Sequence, residues 1–203
     1  MRSGRKQASP SSALTASASV AIILLVMGAA LQRSRAEAPE PSVPAPFAPV
    51  PWGLELPELA FEERLPDGTV RELAFAEMRG EPLVIVLWAT WCGICAREMP
   101  KLDRLAASLE PKGIRVVAMS IDDGGSTVPE HYLQKKGLRS LRVFLDKQKV
   151  LFPTLGAWGV PTAVIAGPDG RIVARATGPV AWNSEPVLRY LLKQRLVEPN
   201  PRT

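Results

Sequence analysis

The stretch Trp88-Ala-Thr-Trp-Cys-Gly-Ile-Cys-Ala-Arg-Glu-Met-Pro100 contains both cysteines of the chain, Cys92 and Cys95. An apolar run over residues 83–89 leads into it, and apolar residues recur at helical spacing over residues 95–109. We therefore predict a buried strand followed by a helix, with Cys92 at the helix N-terminus and Cys95 inside the first turn. This spacing fits either a redox pair or two buried thiols without a chemical role.

A helix N-terminus favours redox chemistry at the first cysteine. Its unpaired backbone N–H groups and the positive end of the helix dipole stabilise a thiolate, which is the nucleophilic form of cysteine. Cys95, almost one turn further on, is expected to lie deeper. We predict that Cys92 attacks a disulfide and that Cys95 resolves the mixed disulfide.

Composition excludes several other classes of protein. The 203 residues suffice for one domain and an appendage, and 46% of them are hydrophobic. The first 38 residues hold five of the 25 basic and one of the 20 acidic side chains, which leaves 20 basic and 19 acidic for the remainder. Most of the net charge of +5 therefore belongs to the N-terminal segment, and it does not indicate nucleic-acid binding by the rest of the chain. Two cysteines and one histidine, His131, fall short of a four-ligand zinc site, so we expect neither a metal site nor an organic cofactor.

The N-terminal part of the sequence predicts a membrane anchor. A basic segment, residues 1–12, precedes residues 13–31, which are uncharged, mostly apolar and close to the ~20 residues that span a bilayer. A cleaved signal peptide is the alternative, but Arg33 and Arg35 crowd the place of a cleavage site. The charge balance favours a cytoplasmic N-terminus, with the rest of the chain outside the cytoplasm.

The remaining pattern predicts a proline-rich linker over residues 32–53, a folded domain over residues 54–198 and a short tail over residues 199–203. Strands and helices alternate in the domain, which predicts an α/β fold with a central mixed sheet flanked by helices. The expected elements are a hairpin over residues 58–64 and 69–73, strands over 83–89, 114–121, 141–145, 160–166 and 172–176, and helices over 95–109, 128–136, 150–158 and 185–195.

The motif Trp-Ala-Thr-Trp-Cys-x-x-Cys, with Glu98 and Pro100 after it, resembles the thioredoxin superfamily, and more narrowly the membrane-anchored TlpA/ResA-like thiol–disulfide oxidoreductases. The resemblance extends over most of the domain and includes Gly159-Val-Pro-Thr162. It implies a thioredoxin-like fold in which Pro161 is cis beside the cysteines and Val160 offers backbone groups to a substrate strand. It also implies that Trp91, Gly93 and Ile94 contact the substrate.

Two positions near the cysteines bear on proton transfer. Many thioredoxins keep a buried aspartate six residues before the first cysteine, whereas this chain has Val86 there. Glu98 matches a glutamate of ResA-like proteins and is the candidate proton-transfer residue; alternatively it is a solvated residue paired with Lys101 or Lys112.

We expect His131 to be solvated, Trp88 and Trp91 to flank the cysteines, and Trp52, Trp158 and Trp182 to be packing residues.

The resemblance implies a reductase of client disulfides on the outer side of the bacterial cytoplasmic membrane, in the periplasm or an equivalent extracytoplasmic space. The clients expected are apocytochrome c or copper-site proteins, as in cytochrome c or cytochrome oxidase biogenesis, and a membrane thiol reductase is the expected electron donor. A thiol oxidase and a copper-binding assembly factor are the alternatives. A peroxidase and a non-catalytic binding module fit the motif less well.

Overall fold

Strands and helices alternate along the part of the chain that the structure, a computed structural model, describes: residues 42–50, 54–65 and 67–196. The strands are β1 Ala48–Pro49, β2 Ala60–Arg64, β3 Val70–Ala74, β4 Leu83–Trp88, β5 Arg115–Ser120, β6 Val143–Leu145, β7 Thr162–Ala166 and β8 Ile172–Thr177. The helices are α1 Gly93–Leu109, α2 Thr127–Lys135, α3 Leu151–Thr154 and α4 Glu185–Gln194, with single 3-10 turns at Phe75–Met78 and Glu110–Lys112.

The strands form one sheet in the order β1-β8-β7-β4-β5-β6-β2-β3. Strands β4, β5 and β6 run parallel, whereas β7 pairs antiparallel with both β4 and β8. The predicted α/β fold with a mixed sheet is confirmed. Strands β2 and β3 pair antiparallel in the segments where the sequence predicts a hairpin, and β2 attaches this hairpin to the sheet through β6.

Strand β4 lies inside the sheet and is buried on both faces. Because side chains alternate along a strand, Val84, Val86 and Trp88 join an apolar cluster with helices α1 and α4. Ile85 and Leu87 join a second cluster, which includes Phe61 and Phe144. Two covered faces account for the unbroken apolar run in the sequence.

Helix α1 packs its apolar stripe on the sheet. The residues predicted at helical spacing are all buried: Met99, Leu102, Leu105, Ala106 and Leu109. Gly113 follows the helix with φ +69°, a left-handed conformation that glycine adopts without steric cost. Pro100 lies within the helix and has no N–H to donate to the preceding turn.

The folded part begins before Leu54, so the predicted spacer is wrong for residues 42–50. Phe47 is buried with its ring 6.0 Å from that of Trp182, and β1 pairs antiparallel with β8. A proline in β1 is compatible with pairing because β1 lies at the edge of the sheet. Residues 13–31 lie outside the described residues, among which no helix has the length and apolarity to cross a bilayer.

Two predictions for the C-terminal half are wrong. Helix α3 covers only Leu151–Thr154 rather than residues 150–158, since the chain turns at Gly156 with φ +62°. Trp158 therefore lies beyond the helix and is exposed, whereas Trp182 is buried as predicted. On α4, Val187 and Leu191 are buried, whereas Leu192 is exposed.

A candidate redox site at the start of helix α1

The two cysteines form a disulfide where β4 leads into α1. Cys92 is the N-cap residue, and its sulfur accepts a hydrogen bond from the backbone N–H of Cys95, with an N–S distance of 3.1 Å. The Cα atoms lie 5.2 Å apart. Cys92 is 7% exposed and Cys95 1%, so Cys92 is the more accessible residue, although both are buried in the disulfide form. The predicted position of the pair at the helix N-terminus is confirmed.

The loop before β7 lies against the first sulfur. The Val160–Pro161 bond is cis, as the resemblance implies, and the Val160 carbonyl oxygen is 3.6 Å from Cys92 Sγ. The Pro161 carbonyl accepts a hydrogen bond from Gly178 N–H at 2.8 Å. No partner for the Val160 N–H is found in the described part of the chain. One polar backbone group beside the sulfur is therefore available to a ligand.

Glu98 is buried rather than solvated, with 4% of its surface exposed. Its Oε2 accepts a hydrogen bond from Val180 N–H at 2.9 Å, and its Oε1 lies 3.0 Å from Lys101 Nζ. The pairing with Lys101 is one that the sequence suggests, but the contact with Val180 ties α1 to the segment after β8. Neither contact is to a cysteine sulfur.

Val86 lies beneath the cysteines in the same apolar cluster. Its two strand neighbours are Ala118 on β5 and Ala163 on β7, which are also apolar. The side of the sheet under the disulfide therefore offers no carboxylate at this register.

A buried carboxylate that the sequence did not single out, Asp122, holds the turn before Cys92. It accepts hydrogen bonds from Thr90 N–H at 3.1 Å and Thr90 Oγ1 at 2.8 Å. Ser120 Oγ donates to the same carboxylate at 2.6 Å. Because β4 and β5 are parallel neighbours, their carboxyl ends meet at one edge of the sheet. The polar residues at the end of β5 were the sequence feature that could have indicated a contact with the turn before Cys92.

Around the disulfide the surface is apolar. Trp91 is 68% exposed, Ile94 40% and Trp158 91%, and Gly93 is exposed between the two cysteines. Trp88 is buried instead, with its ring 5.4 Å from that of Tyr132. The buried disulfide is therefore bordered by exposed apolar side chains.

Other polar groups lie apart from the site. His131 is exposed on α2, and within the described residues no three His, Cys, Asp or Glu side chains form a group that could hold a metal ion. A cavity beside Glu81, Arg115 and Arg142 lies where β4 and β5 begin, at the opposite end of the strands from Cys92, and both arginines are paired with glutamates.

Comparison with known proteins shows sequence similarity in the region of this site. The AhpC/TSA family matches over residues 55–175. The thiol-disulfide oxidoreductase ResA of Bacillus thuringiensis (strain Al Hakam) is 26% identical over 108 residues, which are 53% of this chain and 61% of that protein. ResA of Bacillus subtilis (strain 168) is 24% identical over 114 residues, 56% of this chain and 63% of its own length. The chain thus spans about three fifths of the length of these relatives.

Solved structures share the fold. The exposed lipoprotein thioredoxin Etrx1 of Streptococcus pneumoniae superposes with a TM-score of 0.55 at 20% identity, over 67% of this chain and 99% of its own. At this low identity, the superposition establishes a thioredoxin-like fold and no more. The family match includes the disulfide, Glu98 and the cis-Pro161 loop, and it covers more than half of the chain. The chain therefore belongs to the AhpC/TSA family.

Proposed function

We propose that the protein is a thiol–disulfide oxidoreductase that uses Cys92 and Cys95. The observation that carries the proposal is the disulfide at the start of α1, with Cys92, the more exposed of the two cysteines, at the N-cap and its sulfur 3.6 Å from the Val160 carbonyl oxygen. The Cys95 N–H that contacts this sulfur is positioned to stabilise a thiolate there after reduction. The names of the ResA relatives support the same activity.

In the reducing direction the Cys92 thiolate attacks one sulfur of a client disulfide, and the other client sulfur leaves as a thiolate. Cys95, deprotonated in its turn, then attacks Cys92 Sγ in the mixed disulfide. The second client sulfur leaves, and the Cys92–Cys95 disulfide forms. Two electrons pass to the client, which takes up two protons. An external dithiol must then reduce the pair again.

Client recognition is assigned to the groups that surround the first sulfur. Val160 offers its N–H group to an extended client segment, which adds beside the cis-Pro161 loop as a strand adds to a sheet edge. Gly93 gives the segment close access because it carries no side chain, and Trp91 and Ile94 present apolar surface on either side of it.

Glu98 is assigned to proton transfer at Cys95. The two residues are three positions apart on α1, which places side chains on the same helix face with Cβ atoms roughly 5–6 Å apart. Glu98 has two observed partners, whereas a carboxylate has about four acceptor sites. A single water between Glu98 and Cys95 then completes the path for the proton.

The cellular role proposed is reduction of client protein disulfides outside the cytoplasm. Support comes from residues 13–31, which we assign to a membrane anchor, and from the relatives named ResA. Clients with cysteine pairs, such as apocytochrome c or copper-site proteins, and a membrane thiol reductase as donor follow from the resemblance of the motif. Oxidation of client thiols by the same disulfide is the alternative direction.

The proposal is tested by turnover of a protein disulfide by the full chain, with dithiothreitol as the electron source. Cys92→Ser is expected to abolish the turnover above the rate with dithiothreitol alone. An unchanged rate in Cys92→Ser would overturn the assignment. Copper binding that is lost in His131→Ala, with no disulfide turnover, would instead indicate the assembly-factor alternative.

A further inference from the structure

Two tryptophans with exposed side chains lie next to the redox site. Trp158 is 91% exposed and Trp91 68%, whereas Trp88 and Trp182 are buried. An indole in water forgoes the burial of roughly 150–250 Å² of surface, which is the main source of stabilisation by an aromatic residue. These two side chains therefore contribute little to the stability of the fold, and a contact with another molecule would recover the lost burial.

Both tryptophans are fixed close to the reactive sulfur by the covalent chain. Trp91 directly precedes Cys92. Trp158 is two residues from Val160, whose carbonyl is 3.6 Å from Cys92 Sγ, and two residues span at most about 7 Å. Ile94, 40% exposed, extends the apolar surface on the side of α1. We call Trp91, Ile94 and Trp158 the aromatic rim.

The shape of the site restricts what can bind at this rim. Cys92 is only 7% exposed beside two protruding indoles, so a flat protein surface cannot bring its own sulfur into contact with Cys92 Sγ. An extended segment can reach it, and the Val160 N–H, which has no partner among the described residues, is available to pair with the backbone of such a segment. The occupant that fits is a cysteine in an extended, locally unfolded stretch of polypeptide.

We propose that Trp158 is a specificity-determining residue that selects clients with an aromatic or large aliphatic side chain next to the reacting cysteine. This inference rests on the proposed thiol–disulfide exchange and adds the class of client. The neighbouring side chain of the client packs on the indole while its sulfur meets Cys92, so the contact is made as the mixed disulfide forms. Apolar burial and aromatic packing favour such a client over one with a small polar neighbour.

The test uses the purified full chain in its reduced form and two peptides. Each peptide carries one cysteine as a mixed disulfide with thionitrobenzoate, flanked on both sides by Phe in one peptide and by Ser in the other. Attack by Cys92 at the thionitrobenzoate sulfur, or at the peptide sulfur, is followed by resolution by Cys95, so each turnover releases one peptide thiol and one coloured thionitrobenzoate. The expected ratio of the second-order rate constants, Phe peptide to Ser peptide, is about tenfold, equivalent to about 1.4 kcal/mol.

Substitution of Trp158 distinguishes its contact from a general effect on the site. In Trp158→Ser the ratio is expected to fall to about one- to twofold, while Trp158→Phe retains most of the preference. The ratio is insensitive to altered cysteine reactivity, because both peptides react with the same sulfur. Leu196→Ser is the matched control: Leu196 is 80% exposed but follows α4, and the neighbouring Arg195 lies near Gly113 at the opposite end of the strands.

Each contrary result has a distinct meaning. Equal rates for the two peptides in the wild type, or a preference that persists in Trp158→Ser, would overturn this inference and leave the proposed function intact. Absence of thionitrobenzoate release from either peptide would overturn the proposed function itself. A dimer in light scattering that dissociates in Trp158→Ser would assign the aromatic rim to a second copy of the chain, which also contradicts the inference.

Discussion

At the scale of single residues, the site depends on buried polar groups that hold the cysteines in place. Glu98 accepts a hydrogen bond from Val180 N–H at 2.9 Å. Val180 comes shortly after Gly178, whose N–H donates a hydrogen bond to the Pro161 carbonyl. One carboxylate therefore connects the helix of the cysteines to the segment that supports the cis-Pro161 loop. Whatever part Glu98 takes in proton transfer, its hydrogen bond to Val180 gives it a structural role as well.

Removal of the Glu98 carboxylate should lower the free energy of unfolding. Glu98→Ala leaves a buried N–H without its partner, which costs about 1–3 kcal/mol. Glu98→Gln keeps an acceptor for Val180 and loses only the pairing with the half-exposed Lys101, worth ~0–1 kcal/mol. Urea unfolding of the oxidised protein measures both values. Equal losses in the two variants would contradict the importance of the Val180 contact.

The same pair of variants separates the structural role of Glu98 from proton transfer. Glu98→Gln cannot accept a proton from Cys95, so resolution of the mixed disulfide should slow by about tenfold or more. Stopped-flow release of a thiol from a preformed mixed disulfide at Cys92 gives this rate. An unchanged rate would show that water alone accepts the proton.

At the scale of secondary-structure elements, the turn between β4 and α1 is held by the end of β5. The Asp122 carboxylate accepts hydrogen bonds from both the backbone N–H and the side-chain hydroxyl of Thr90, two residues before Cys92. The position of the first sulfur thus depends on an adjacent parallel strand as well as on the helix that follows it.

Asp122→Ala should weaken both the fold and the attack by Cys92. It leaves the Thr90 N–H and two hydroxyl groups without their acceptor, at a cost of about 1–3 kcal/mol in unfolding free energy. A less well-held turn should also slow the attack on a model disulfide by about tenfold. The neighbouring Asp123→Ala is the control, because Asp123 is exposed and its substitution should change stability by no more than about 0.5 kcal/mol. Similar losses in both variants would argue against the Asp122–Thr90 contact.

Substitutions in strand β1 and at the residue before it show whether residues 42–50 stabilise the domain. Phe47→Ala removes a buried ring that packs against Trp182 and should reduce the free energy of unfolding by about 3 kcal/mol. Pro49→Ala, at an exposed position of β1, should have an effect below about 1 kcal/mol. Urea unfolding measures both, and a negligible effect of Phe47→Ala would favour a linker that does not pack.

Local patterns predicted the features of the site that lie close together along the chain. The apolar run, the helical spacing after Cys95 and the two cysteines together indicated the strand, the helix and the N-cap position. The cis bond at Pro161 followed from resemblance to a family. By contrast, the burial of Glu98 depends on Val180, 82 positions away, and Asp122 meets Thr90 across 32 positions. No local pattern specifies such contacts, and Trp158 likewise lies outside a helix because the chain turns at Gly156.

At the scale of the whole molecule, the fold brings two distant segments to one sulfur. The start of α1 supplies the disulfide, and the loop before β7 supplies the carbonyl 3.6 Å from it, 68 residues further along the chain. Because β7 pairs directly with β4 in antiparallel orientation, the end of β4 and the start of β7 lie side by side. The two segments therefore meet at the same end of these strands. The central claim is that this arrangement makes Cys92 the attacking and Cys95 the resolving sulfur.

The most direct test of that claim is the release of thionitrobenzoate from Ellman's disulfide by the reduced protein. Wild type should release two thionitrobenzoate anions per chain, since Cys95 displaces the one first held at Cys92. Cys95→Ser should release one rapidly and retain the other, whereas in Cys92→Ser the buried Cys95 should react more slowly by a factor on the order of 100. Rapid release by Cys92→Ser, with slow release by Cys95→Ser, would contradict the assignment of the two sulfurs.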